Sequence, residues 1–240
     1  MKKLKILQQW PLSKVELVEI KGKKFILKTI HEDFINEIYR QKILRKTCKK
    51  IKIPKIYWIK KSNGKVSFLM EYISHKPDSL NKKILFDVLL KFHEETKNLR
   101  SKYFKTYNFE AFYKNFLTVK KYLNSSFKNK DKADIKEFFS PVFNSPYSIV
   151  HGDWNKDGIF SKNGKYFTID FAKSYYGPSI LDFGNSKIPN NTLNLKTKLV
   201  SVIINLAWFD LCKRKYIKYS YKKEISKKVK EFNKIFKEIK

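Results

Sequence analysis

Two short apolar runs each deliver an aspartate into a loop. SIVHGD ends at Asp153, and seventeen residues later YFTID ends at Asp170. Asn163-Gly164 lies between them and reads as a hairpin turn. Strands lying side by side would bring both carboxylates to one end of a pocket. Phosphoryl transfer uses such a pair: one carboxylate accepts or orients the attacking hydroxyl, the other holds Mg²⁺ against nucleotide phosphates. Either aspartate alone is more often a loop cap. The pair, in this strand–loop–strand context, favours chemistry.

The elements upstream fit the same chemistry. VELVEIKGKKFILKTI reads as two strands around Lys21-Gly22-Lys23, and IPKIYWIKKSNGKVSFLMEYI as two more around Ser62-Asn63-Gly64. EDFINEIYRQKILRK between them has near-helical periodicity, so the first seventy or so residues read β-β-α-β-β, mostly antiparallel. Lys28 ends one strand and Glu37 lies nine residues on in the helix. A strand lysine paired with a helix glutamate places nucleotide α- and β-phosphates in kinases. FLMEYI reads as a strand entering a hinge, where backbone groups of Glu71 to Ile73 would meet an adenine or guanine edge.

After residue 73 the pattern turns helical. NKKILFDVLLKFHEETKNL and NFEAFYKNFLTVKKYLNSSF are expected helices, DKADIKEFFSPVF a third broken at Pro141, and LVSVIINLAWF a buried helix too short to span a bilayer. The last stretch sets Ile225, Val229, Phe232, Phe236 and Ile239 on one face. That face is expected to pack on its own domain.

Composition bounds the partners. The formal charge is +31, from 53 basic and 22 acidic residues. Such a field favours anionic partners, although lysines spread along the whole chain, with abundant Ile, Asn, Phe and Tyr, also fit an AT-rich genome. The basic C-terminal tail is the best candidate for contact with an anionic surface, and nucleic acid is not an expected partner. Cys48 and Cys212 have no metal-type spacing and suggest a reduced, cytoplasmic protein. His31 and His75 have no partners at catalytic spacing, His93 lies within an expected helix, and the chain has no G-x-x-x-x-G-K-[ST] loop.

FILK, NEIYRQKIL, IPKIY, FLMEYI, VHGDW, FTIDF and YYGPSILDFGN together resemble the aminoglycoside phosphotransferase and choline kinase-like family of small-molecule kinases. The resemblance implies an α+β, bilobal protein-kinase-like fold. A small antiparallel β N-lobe with one helix (1–73) would bind nucleotide, and a larger, mainly helical C-lobe (74–240) would hold the catalytic loop and acceptor. It also implies Asp153 as catalytic base, Asp170 as Mg²⁺ ligand, Lys28 on the phosphates oriented by Glu37, and a hinge at Glu71 to Ile73. Ile26, Phe160 and Ile169 would sandwich the base of ATP or GTP. His151 and Asp182 would be structural: the literal DFG at Asp182 lies 29 residues after Asp153, in a segment that follows the metal strand.

Two departures from the family pattern stand out. The family usually has a metal-binding Asn five residues after the catalytic Asp, and here that position is Gly158. Asp157 or Asn155 lies close enough to compensate, and a loop shift that brings Asp157 to the metal is expected if Gly158 adopts backbone angles closed to other residues. The alternative is an ordinary turn at Asp157-Gly158, with Asp170 alone holding the metal. The nucleotide-covering loop, sought between Val15 and Lys28, has a single glycine, Gly22. The leading expectation is a kinase acting on a hydroxyl of a small molecule such as an aminoglycoside or sugar. The alternative is a catalytically degraded, nucleotide-binding module.

Overall fold

The computed structural model describes residues 1–74, 81–123, 126–185, 192–216 and 221–239. Its strands are β1 (Lys2–Trp10), β2 (Ser13–Ile20), β3 (Lys23–His31), β4 (Ile51–Lys52), β5 (Ile56–Ser62), β6 (Lys65–Glu71), β7 (Tyr147–Val150), β8 (Ile159–Lys162), β9 (Lys165–Thr168) and β10 (Tyr175–Pro178). Its α-helices are α1 (Asn36–Thr47), α2 (Lys82–Thr96), α3 (Phe109–Val119), α4 (Lys132–Phe143), α5 (Thr192–Lys215) and α6 (Lys222–Ile239). The chain forms two compact units. One is Met1–Phe104 with Asn155–Ser174, the other Lys105–Trp154 with Tyr175–Lys240.

The first unit is built on an antiparallel sheet of order β1-β2-β3-β6-β5. Both anticipated hairpins close with two positive φ angles, at Lys21-Gly22 (49° and 75°) and Asn63-Gly64 (49° and 71°). Turns of that kind match the right-handed twist of the strands they join. Ile26 and Ile30 of β3 join Ile38 of α1 and Val66, Phe68 and Met70 of β6 in one buried cluster. β4 pairs with β9 in parallel, and β9 with β8 in a hairpin turning at Asn163-Gly164.

β1 was not anticipated. All nine of its residues are exposed, so no alternation marks it. Its register with β2 slips between Lys3 and Lys5 and again between Ile6 and Gln8, leaving Leu4 and Leu7 as extra residues. Bulges of this kind and the lysines discourage further strand pairing at an edge.

In the second unit β7 and β10 form an antiparallel ribbon. The helices bury an aromatic core in which Phe112, Phe116, Phe127, Phe139 and Phe232 are fully enclosed. Phe112 meets Phe139 edge-on at 4.9 Å between centroids, and Phe127 meets Phe236 at 5.3 Å. α6 buries Ile225, Phe232, Ile235 and Phe236, so its apolar face packs within its own unit. α4 runs through Pro141 to Phe143 instead of breaking there. Pro141 has no N–H for the carbonyl four residues back, but the Ser140 hydroxyl donates to that Glu137 carbonyl at 2.8 Å. Among the described residues, no helix is long and apolar enough to cross a membrane.

Candidate active site

Alternation along β3 turns Ile26, Lys28 and Ile30 to the same buried face. Lys28 is therefore a charge set in an apolar row, opposite Val15 on β2 and Phe68 on β6. It stays there because it is paired. Its Nζ donates to Glu37 Oε1 at 2.6 Å and to Asp170 Oδ1 at 3.2 Å. Burial alone would pull the Lys28 ammonium down. The charges of Asp170 and Glu37, and the hydrogen bonds to both, outweigh burial and hold its pKa above the ordinary lysine range. Glu37, in the first turn of α1, is 2% exposed. Its other oxygen, Oε2, is buried with no hydrogen-bond partner. Burial pushes its carboxyl up, against the pull of Lys28.

Asp170 follows β9 with a left-handed φ of 68°. Aspartate tolerates that region better than most residues, yet such a conformation costs of order 1–3 kcal/mol and persists only where its surroundings hold it. Its side chain is 42% exposed. Arg40, which the sequence reading did not single out, holds the next two residues: its Nη1 donates to the carbonyls of Phe171 at 3.1 Å and Ala172 at 2.7 Å. Its Nε donates to the Tyr103 carbonyl at 2.8 Å. The only cue in the sequence was a position one helical turn past Glu37.

The remaining nucleotide-site residues of the reading belong to the same unit. Ile26 and Ile73 are buried, and Phe160 and Ile169 are half-buried. The Glu71 N–H is already committed to the Lys55 carbonyl at 2.9 Å, and its carboxylate accepts from the Lys55 N–H at 3.2 Å.

Three expectations need correction. The strands carrying the two aspartates are not neighbours: β7 pairs with β10, whereas β9 lies between β4 and β8. Gly22 does not cover the Lys28 site. It lies beyond the Ile20–Lys23 pair, five residue pairs from the Val15–Lys28 pair, or roughly 17 Å along the strands. The turn at the Lys28 end of the sheet joins β1 to β2 at Pro11-Leu12, with the Leu12 carbonyl accepting from His31 N–H at 2.9 Å. Gly158 is not among the residues with positive φ. A Cβ there would meet the Ile169 carbonyl oxygen at 3.8 Å, an ordinary contact. Its backbone thus has no need of glycine.

Around Gly158 the local caps are plain. Asn155 Oδ1 accepts from the N–H groups of Asp157 at 2.8 Å and Gly158 at 3.2 Å, capping a short 3₁₀ turn. Asp157 is exposed. His31 accepts from Asp33 N–H at 3.3 Å, His93 is buried on α2, and His75 lies outside the described residues. Among those residues no three His, Cys, Asp or Glu side chains gather to hold a metal. A cation at Asp170 would therefore complete its shell with phosphate oxygens and water. That donor set suits Mg²⁺.

Asp153 belongs to the second unit, in the loop after β7. Gly152 there has φ 82°, a conformation that glycine supplies without strain. Asp182, 1% exposed, sits in the 3₁₀ segment Ser179–Asn185. Its two oxygens accept from the backbone N–H groups of His151 at 2.8 Å and Gly152 at 2.9 Å. His151 Nδ1 in turn accepts from Asp153 N–H at 3.3 Å, and its ring meets Trp154 edge-on at 5.4 Å. The literal DFG aspartate thus grips the backbone of the HGD loop.

No protein-family model matches the chain, and no curated protein matches it by sequence. Solved structures do. A thermostable mutant of the aminoglycoside phosphotransferase APH(4)-Ia, in ternary complex with AMP-PNP and hygromycin B, is similar at TM-score 0.64 and 10% identity, over 96% of this chain and 92% of that one. A choline/ethanolamine kinase family protein from Mesorhizobium loti is similar at TM-score 0.65 and 10% identity, over 96% and 87%. A putative fructosamine-3-kinase from Haemophilus somnus is similar at TM-score 0.57 and 17% identity, over 97% and 91%. At such identities the likeness speaks for architecture, and the chain has the protein-kinase-like fold that these small-molecule kinases share.

Proposed function

We propose that this protein is a small-molecule kinase that moves the γ-phosphate of ATP or GTP to a hydroxyl. The observation that carries the reading is the buried Lys28, bonded to both Glu37 and Asp170, within a protein-kinase-like fold. Lys28 orients the α- and β-phosphates, and Glu37 holds it in register. Asp170 ligates Mg²⁺, which neutralises charge on the phosphates when bound. Asp153 orients the acceptor hydroxyl and takes its proton, on a loop that Asp182 and His151 keep in shape. The base of the nucleotide lies against Ile26, Phe160 and Ile169, near the hinge at Glu71 to Ile73. With the Glu71 N–H already committed, the donor to the base edge comes from beyond it.

The similar structures lend support: one contains AMP-PNP and hygromycin B, and an amicoumacin kinase at 13% identity is in complex with AMP-PNP, Ca²⁺ and Ami. The large positive charge favours a neutral or anionic acceptor, such as a sugar, a phosphorylated sugar or an envelope glycolipid, over a polycation. We place the reaction in the cytoplasm, with the lysines of the tail available to an anionic surface.

Gly158, at the position expected to carry a metal-binding Asn, favours a second reading: a module that binds nucleotide without turnover. Melting with ATP or GTP, with and without Mg²⁺, and assaying nucleoside diphosphate formation with sugar and aminoglycoside acceptors separate the two. At a hundredfold the Kd, nucleotide stabilises by about 2.7 kcal/mol. The kinase reading expects a Mg²⁺-dependent shift, and turnover that Asp153→Ala abolishes while nucleotide still binds. Binding indifferent to Mg²⁺, with no turnover, would establish the second.

A further inference from the structure

We propose that Arg40 is a positioning residue for Asp170, so that one turn of α1 sets both the phosphate-binding lysine and the metal-binding carboxylate. The proposal rests on the reading of Asp170 as the Mg²⁺ ligand.

Residues three apart on a helix share a face, and α1 uses that face twice. Glu37 accepts from Lys28, and Arg40 reaches the chain immediately after Asp170. Two of the three carbonyls that Arg40 binds belong to Phe171 and Ala172, while the third, of Tyr103, fixes the other side of the guanidinium. Asp170 itself is held at φ 68°. A strained residue relaxes when the backbone beside it is released. Fixing the next two carbonyls sets the direction in which the chain leaves Asp170, and hence where its carboxylate points. A planar fork of N–H donors can serve several carbonyls in fixed geometry. A lysine ammonium is a point charge on a flexible stem and cannot reproduce that arrangement.

The geometry has a consequence that a simple staple would not have. Loosening Arg40 should weaken the metal step more than the nucleotide step, because Lys28 keeps its 2.6 Å bond to Glu37 and only its longer, 3.2 Å bond to Asp170 is disturbed. The test uses the full chain with saturating AMP-PNP and titrates Mg²⁺, reading the concentration that gives half of the Mg²⁺-dependent thermal shift. Outer-shell partners typically contribute 10–100-fold to metal affinity. Arg40→Gln and Arg40→Lys are each expected to raise the Mg²⁺ midpoint about tenfold, with Mg²⁺-free AMP-PNP binding changed by much less. If Arg40→Gln does not fold, Arg40→Lys, which keeps charge and bulk, decides alone. An unchanged midpoint overturns the proposal, as does a parallel loss of Mg²⁺-free nucleotide binding, which would mark Arg40 as a general prop. A wild-type chain with no Mg²⁺-dependent shift would instead remove the metal role of Asp170, on which the proposal stands.

Discussion

Replacing Lys28 with methionine removes the ammonium and keeps most of the apolar stem. The stranded partner is Glu37, 2% exposed and already carrying one oxygen without a hydrogen bond. Its second oxygen would lose a 2.6 Å contact. Breaking a buried pair by removing one member costs about 3–5 kcal/mol, or roughly 6–20 °C in Tm for a chain of this size. Asp170 contributes less, because water can reach its half-exposed carboxylate. The cost should depend on pH. Burial raises the folded pKa of Glu37 above its unfolded value, and in the variant Lys28 no longer opposes this. The folded state then binds the proton more tightly than the unfolded state. The stabilisation from that proton is present at low pH and is lost as pH rises through the folded pKa. Lys28→Met is therefore least destabilised in acid and most destabilised near neutrality. Thermal melts between pH 5 and 8 read this on Lys28→Met and on Lys28→Met/Glu37→Gln, in which no carboxylate is left to strand. The double variant should recover most of the loss at pH 8 and show little of the pH slope. A double variant no more stable than the single, or a single variant with a flat profile, would refute the account of Lys28 as the charge that keeps Glu37 ionised.

Two further outcomes are expected. Asp182→Asn keeps the shape of the side chain, but its amide can accept at only one end while two backbone N–H groups point at it; hydrogen bonds to a charged acceptor are each worth about 1.5–3 kcal/mol, so urea denaturation should register a loss of that order. Gly158→Asn supplies the ligand type that the family pattern has at that position, and its Cβ has room at 3.8 Å from the Ile169 carbonyl. The Mg²⁺ midpoint with AMP-PNP should fall without loss of stability, and an unchanged midpoint would mean that residue 158 is not a ligand position.

Much of the candidate site was legible because its signals are local. Asn-Gly pairs close two of the hairpins whatever they pack against, since both residues accept positive φ, and Gly22 supplies the second positive φ of the third. A lysine at an inward position of a strand, with a glutamate in the following helix, needs only the strand and helix periods to be brought together. The buried face of α6 follows from helical periodicity, and the burial of α5 from its apolar run Leu199 to Phe209. β1 escaped because neither of its faces is buried, so its sequence shows no alternation.

What the tertiary structure decided is of a different kind. Which strand lies beside β7 depends on the return of Tyr175–Pro178, not on anything in SIV itself. The segment Asn155–Ser174 joins the compact unit of the sheet while its flanks join the other, because β9 finds β4 more than a hundred residues earlier in the chain. The need for glycine at Gly22, and its absence at Gly158, were settled by backbone angles that composition does not report. Arg40 was hidden for a related reason. Its acceptors are main-chain carbonyls at residues 103, 171 and 172, which every residue type carries. Side-chain chemistry and local periodicity are written in the order of residues. Pairings between distant backbone groups exist only once the chain has folded.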